Sequence, residues 1–154
     1  NPSDIAYVTQ TTLSVDETKG LIEALKIKYP QIIGPSADDI CYATQNRQDA
    51  VKQLSLECEI VLVIGSKTSS NSNRLKELAE KCGTKSFLID DKSDINIEEL
   101  KQTMSVGITA GASAPEEIVQ DVISFLYPLG YKTVRNLSEN NESMTFKLPK
   151  ELAD

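Results

Sequence analysis

Histidine and tryptophan are absent from the 154 residues, and aromatic residues make up only 5% of them. Without an imidazole the chain contains no Ser-His-Asp or Cys-His nucleophilic site, no His-ligated zinc or haem, and no imidazole acid–base catalyst. Its chemistry falls to cysteine, carboxylates, hydroxyls and amides. A basic surplus is missing too: 16 Lys and Arg face 23 Asp and Glu, for a formal charge of −7. That balance disfavours a nucleic-acid backbone or an anionic membrane as partner, so any anion must be caught locally. No apolar run approaches the roughly 18 residues of a membrane helix; the most hydrophobic stretch is Ile60 to Ile64. We expect a soluble protein with no membrane segment. Cysteine is scarce, and Cys41, Cys58 and Cys82 match no CxxC or zinc spacing, which favours a reducing compartment. The first residue is Asn1, with neither Met nor a basic, apolar leader, so the expectation is a truncated protein without a secretory signal.

The remainder is ordinary for a globular chain: 40% of residues are apolar and 25% charged. A chain of this length buries about two thirds of its extended surface, enough for roughly one domain without a disulfide framework or structural metal.

Ile5 to Val8 reads as a strand leading into Thr9, Gln10, Thr11 and Thr12. Ser14 with Glu17 then forms a capping box for a helix from about Val15 to Lys28, with Leu21, Ile22 and Leu25 on one side. Pro30 stops it. Ile32 and Ile33 form a brief strand before Gly34-Pro35-Ser36, a loop signal suited to a boundary. Ile40 to Thr44 feeds a helix from about Gln45 to Leu56, which puts Cys41 just ahead of a helix start. Glu59 to Ile64 is the clearest strand, followed by a polar loop and a helix through Leu75, Leu78 and Ala79 to Cys82, where Gly83 supplies the stop. Next come a strand at Ser86 to Ile89, a short helix at Ile97 to Met104 and a strand at Val106 to Thr109. Gly111 to Pro115 opens a last helix that buries Ile118, Val119, Val122, Ile123 and Leu126. Lys132 to Arg135 and Met144 to Leu148 read as two short strands with no helix of their own. Repeated βα units predict an α/β fold, a mostly parallel sheet with helices on both faces and a C-terminal extension belonging to another layer.

In such a sheet the loops after the strands gather on one edge, where helix N-termini offer free N–H groups. Thr9 to Thr12, Ser69-Ser70-Asn71 and Ser113 would all lie there, an arrangement that suits a phosphate or diphosphate without a basic cluster. Each loop alone also reads as ordinary caps and turns. Neither a Walker lysine pattern nor GxGxxG is present. Cys41 lies on the same edge, in a loop ahead of a helix, where a thiolate is favoured. Cys58 and Cys82 fall on the opposite edge and read as small buried hydrophobes. The three therefore cannot share one metal. Lys67 and Arg47 read as solvated, Arg74 as the partner of a carboxylate, and Asp38, Asp39, Asp90, Asp91 and Asp94 as loop and capping residues.

Four strings carry a resemblance beyond composition. They are Thr9-Gln10-Thr11-Thr12-Leu13-Ser14; Asp39-Ile40-Cys41-Tyr42-Ala43-Thr44 with Asn46-Arg47-Gln48; Gly65-Ser66-Lys67 with Ser69-Ser70-Asn71-Ser72-Asn73-Arg74; and Thr109-Ala110-Gly111-Ala112-Ser113-Ala114-Pro115. In this order they resemble the 4-hydroxy-3-methylbut-2-enyl diphosphate reductases, LytB-type iron–sulfur enzymes of the non-mevalonate isoprenoid pathway. The likeness runs over nearly the whole chain, to Pro149-Lys150-Glu151-Leu152.

The resemblance implies three α/β units around a central [4Fe–4S] cluster held by three cysteines, one per unit, with this chain matching the C-terminal half. Residues 1–36 would end the second unit, 37–125 would form the complete third, and 126–154 would return to the first. Cys41 matches the third cluster ligand; Ser69, Ser70, Asn71 and Ser113 match residues that hold the substrate diphosphate; Thr11 matches a threonine near the reacting end. The two further cysteines, the family's histidines and its glutamate proton source would lie in the other half. The implied activity is reductive dehydroxylation of an allylic diphosphate to isopentenyl and dimethylallyl diphosphates. Electrons would come from a protein such as ferredoxin or flavodoxin, in a bacterial cytoplasm or a plastid. The chain alone would be inactive. Two rivals stay open: a non-catalytic phosphate- or diphosphate-binding α/β module using the same edge without metal, and a structural or interaction domain.

Overall fold

Ile60-Val61-Leu62-Val63-Ile64 has no polar side, so it is stable as a strand only where both sheet faces are covered. The computed structural model, which describes residues 5–35 and 40–137, places this run (β1, Ile60–Ile64) at the centre of a three-stranded sheet, buried throughout. On either side lie β2 (Lys85–Ile89) and β3 (Val106–Ala110), both parallel to it, with Ile64 opposite Ile89 and Ala110. Successive β1 side chains point to opposite faces and feed two cores. Ile60, Leu62 and Ile64 join Val122 and Leu126 of α5 (Glu116–Leu126) and Leu100 of α4 (Ile97–Leu100). Val61 and Val63 pack with Val51 of α2 (Tyr42–Glu57) and with Leu75, Leu78 and Ala79 of α3 (Ser70–Lys81). The expected α/β class, parallel sheet and two helical layers are therefore present.

The segment ahead of this unit is held differently. Helix α1 (Val15–Lys28) has the expected bounds: Ser14 caps it, Asp16 and Glu17 face its positive end, and Lys26 and Lys28 its negative end. Only Thr18 of this helix is buried, and Leu21 is 64% exposed. The two expected strands before and after it reduce to one parallel bridge, Ala6 to Ile33. Tyr7 N–H donates to Ile33 O at 2.9 Å and Ile33 N–H to Ile5 O at 2.8 Å.

Several expected boundaries shift for local reasons. Ile40 to Thr44 is not an extended lead-in: the Cys41 carbonyl accepts from Thr44 N–H (2.8 Å) and Gln45 N–H (3.0 Å), so α2 begins at Tyr42. Helix α4 stops at Leu100 rather than Met104. Met104 N–H donates to a Glu59 carboxylate oxygen at 2.7 Å and Glu59 N–H to Ser105 O at 3.3 Å, drawing the chain into β3. Gly83, at φ +87°, ends α3 as expected, its N–H donating to Glu80 O at 3.0 Å. On α5, Val122 and Leu126 are buried, while Ile118, Val119 and Ile123 are half-buried. Lys132 to Arg135 is not a strand: these residues are exposed, and no described strand pairs with them. Met144 to Leu148 lies outside the described residues. Among the described residues no helix is long and apolar enough to cross a membrane.

Candidate functional site

The strand order β2-β1-β3 creates a crevice at the sheet's C-terminal edge. After β1 the chain enters α3 on one face; after β3 it enters α5 on the other. Where neighbouring strands send their helices to opposite faces, an α/β sheet opens a gap for ligand. The loops bordering it are Gly65 to Ser69 and Gly111 to Pro115, and they start side by side, Gly111 N–H donating to the last β1 carbonyl, Ile64 O, at 2.8 Å.

Each loop is built by its own polar groups. Ser66 and Thr68 hydroxyls share a 2.9 Å hydrogen bond, and the Asn73 amide donates to Lys67 O (2.7 Å) and Ser69 O (2.9 Å), fixing the first loop against α3. Ser69 caps α3: its oxygen accepts from Ser72 N–H at 3.3 Å and from the Ser72 hydroxyl at 3.0 Å. Ser70 is exposed at the first helical position. Asn71 is 8% exposed, and neither its amide nitrogen nor its amide oxygen has a protein partner. Leaving such a group unpaired costs about 1–3 kcal/mol, a cost that a bound polar ligand relieves. Ser113 is exposed in the turn before α5, whose cap residue, Pro115, offers no side-chain bond to the first turn.

The other predicted residues converge on this edge from α1 and α2. Cys41 N–H donates to Thr11 O at 3.2 Å, joining two residues thirty positions apart. Thr12 and Ser70 hydroxyls lie 3.2 Å apart, joining the loop before α1 to the start of α3. Cys41 is exposed at the cap position of α2 and makes no side-chain capping bond, so its sulfur is available to bind. Thr11, Cys41, Ser69, Ser70 and Asn71 thus form one connected border, with Ser113 across the crevice mouth.

Gln48 was not singled out as a site residue from sequence. Only 2% exposed, it donates its amide to Leu13 O (2.8 Å) and accepts from Val15 N–H (3.0 Å), clasping the entry to α1. Its signal was periodicity: Thr44, Gln48 and Val51 form the buried stripe of α2, and a long amide in such a stripe needs partners. Ser72, three residues beyond Ser69, is the second residue missed.

The cysteines separate as expected, with one correction. Cys58 caps the other end of α2 from Cys41, and partial burial pushes its thiol pKa up. Cys82 ends α3 but is exposed rather than buried, because it follows the last turn where no described element covers it. No group of three or more Cys, Asp and Glu among the described residues could hold a metal ion. Cys41 alone, open and at the ligand edge, fits a single corner of a cluster. Arg74 pairs with Glu77 at 2.7 Å, and Arg47 turns back to Ala43 O at 3.1 Å. Asp91 accepts from Ser93 N–H at 2.7 Å and Asp94 from Asp90 N–H at 2.8 Å, in capping roles. Asp38 and Asp39 lie outside the described residues.

The family described as LytB protein matches residues 1–127. The chain belongs to the LytB family. Over 152 residues, 99% of its length, it is 56% identical to a 4-hydroxy-3-methylbut-2-enyl diphosphate reductase of Saccharophagus degradans and 53% identical to one of Methylococcus capsulatus. It covers 49% of each, so this LytB chain spans about half the length of those curated relatives. A solved E-1-hydroxy-2-methyl-but-2-enyl-4-diphosphate reductase from Plasmodium falciparum superposes with a TM-score of 0.87 at 33% identity, covering 97% of this chain and 48% of that one.

Proposed function

We propose that the chain is the C-terminal half of a 4-hydroxy-3-methylbut-2-enyl diphosphate reductase, which removes the substrate hydroxyl reductively to give isopentenyl and dimethylallyl diphosphates. The observation that carries this reading is the unpartnered amide of Asn71 at the start of α3, bordered by the Ser69 and Ser70 hydroxyls and linked through Thr12 to the loop that reaches Cys41. Family membership supports it. Residues 1–36 belong to a second α/β unit, 37–125 to a complete third, and 126–154 to a return toward the first.

In this reading Ser69, Ser70, Asn71 and Ser113 hold the diphosphate with hydroxyl and amide donors and the first-turn N–H groups of α3. Such fixed donors need no reorganisation as the substrate docks, so they set the position of its other end. Thr11, exposed and bonded through its carbonyl to Cys41 N–H, contributes a hydroxyl beside the allylic alcohol. Cys41 supplies one thiolate ligand to a [4Fe–4S] cluster whose two other cysteines come from outside these 154 residues. When bound, that cluster would supply the two electrons of the reduction, received from a donor such as ferredoxin or flavodoxin. The setting is a bacterial cytoplasm or a plastid, and this chain alone is inactive.

The test uses the full-length protein, reconstituted anaerobically with iron and sulfide. Wild type is expected to bind about four irons and convert the substrate; Cys41→Ser is expected to lose both iron and turnover. Full iron content and activity in Cys41→Ser would refute the ligand assignment. Phosphate binding with no dependence on iron would leave the metal-free module as the better account.

A further inference from the structure

Ser72 is only 1% exposed and yet polar, in a position where alanine would fill nearly the same space. Three surfaces fix it. Gly65, just after β1, and Gly111, just after β3, both face its side chain, and a methyl group on either would collide with the Ser72 hydroxyl. On the third side lies Ser69, which receives hydrogen bonds from both Ser72 N–H (3.3 Å) and the Ser72 hydroxyl (3.0 Å).

A serine hydroxyl has two acceptor positions and one proton. With both acceptor positions of Ser69 taken by Ser72, its own proton is left for an acceptor approaching from the crevice. An anionic oxygen is such an acceptor, and a charge-assisted bond to it is stronger than one between neutral groups. We propose that Ser72 is a positioning residue for the diphosphate, acting through Ser69 by making that hydroxyl an obligate donor. The two glycines are part of the device, because the Ser72 hydroxyl occupies the space that a Cβ at either position would fill. This inference rests on the assignment of Ser69 to the diphosphate site.

A double-mutant cycle separates the two claims. Inorganic diphosphate is titrated calorimetrically into the full-length protein as wild type, Ser69→Ala, Ser72→Ala and the double variant. Each single change is expected to weaken binding by about 10- to 100-fold, the scale of one hydrogen bond to a charged group. The double variant should be no weaker than Ser69→Ala, because Ser72 has nothing left to orient. If Ser69→Ala binds as wild type does, or wild type does not bind, the site assignment itself falls. If Ser69→Ala weakens binding while Ser72→Ala does not, or if the two losses multiply, positioning by Ser72 is overturned and the site stands. Should Ser72→Ala melt early, Ser72→Cys keeps a weaker donor in place and is expected to bind between the two. Affinity equal to that of the wild type in this variant would likewise overturn the proposal.

Discussion

Leu62 is 1% exposed and Leu21 is 64% exposed, although both sit in regular elements flanked by apolar neighbours. The first belongs to a sheet unit covered on both faces, where hydrocarbon packs on hydrocarbon. The second belongs to α1, which meets the rest of the described chain through polar ties. These are the Gln48 clasp, Lys52 to Asp16 at 2.8 Å, and Arg74 and Lys81 to Glu17. Capping and charge placement suffice to define a helix, but burial needs a partner surface. The sheet unit has that surface within 154 residues, whereas α1 and the Ala6–Ile33 bridge present Val8, Leu21, Ile27 and Ile33 outward.

The largest test of this contrast is truncation in each region. Leu62→Ala should cost about 2–5 kcal/mol in urea unfolding, because it leaves a cavity in the central strand. Leu21→Ala in the same chain should stay within about 0.5 kcal/mol. A comparable loss for Leu21→Ala in the full-length protein only would show that the remaining half covers α1.

Next in size is the clasp. Gln48→Ala strips Leu13 O and Val15 N–H of their partner, at about 1–3 kcal/mol. Amide exchange should accelerate at Val15 and the first turn of α1 while β1 remains protected. Equal acceleration in both would mean that the two regions open as one.

The smallest effect concerns acid. The hydrogen bond from Lys81 and its charge, with help from Arg74, hold the Glu17 carboxyl below its ordinary pKa of 4.5. Folding therefore gains from Glu17 only while it is ionised, and the gain is full above its unfolded pKa and lost as pH falls through the lower folded one. The melting difference between wild type and Glu17→Gln should be small at pH 7 and vanish below that range. It should also shrink with salt, as for any exposed pair.

Much of the fold was legible because its signals are local. Ser14 with Glu17 fixed the start of α1, the alternation-free run at Ile60 fixed a doubly covered strand, and Gly83 fixed the stop of α3. Errors fell where distant partners decide. Glu59 ends α4 early by capturing Met104 N–H from 45 residues away, and Lys132 to Arg135 has strand composition but no described strand to pair with. The exposure of Cys82 likewise depends on what packs over the end of α3, which its own neighbours in sequence do not encode. At the candidate site, most residues named from sequence face outward, Thr11, Cys41, Ser70 and Ser113 among them, and Asn71 is the buried exception. Gln48 and Ser72 were missed because they act from underneath, and their polarity reads locally as capping or solvated surface.

The Gln48 amide forms its hydrogen bonds with peptide groups, one on either side of Ser14. These two bonds therefore do not depend on the side chains at 13 and 15, proline at 15 excepted, since it has no N–H to donate. Since Thr11 O also takes the N–H of Cys41, one main-chain bond and the Gln48 side-chain amide together tie the loop before α1 to the first half of α2. The backbone positions that carry the Thr11 hydroxyl and the Cys41 sulfur therefore share one frame of reference, whatever rotation the surrounding parts of the molecule undergo.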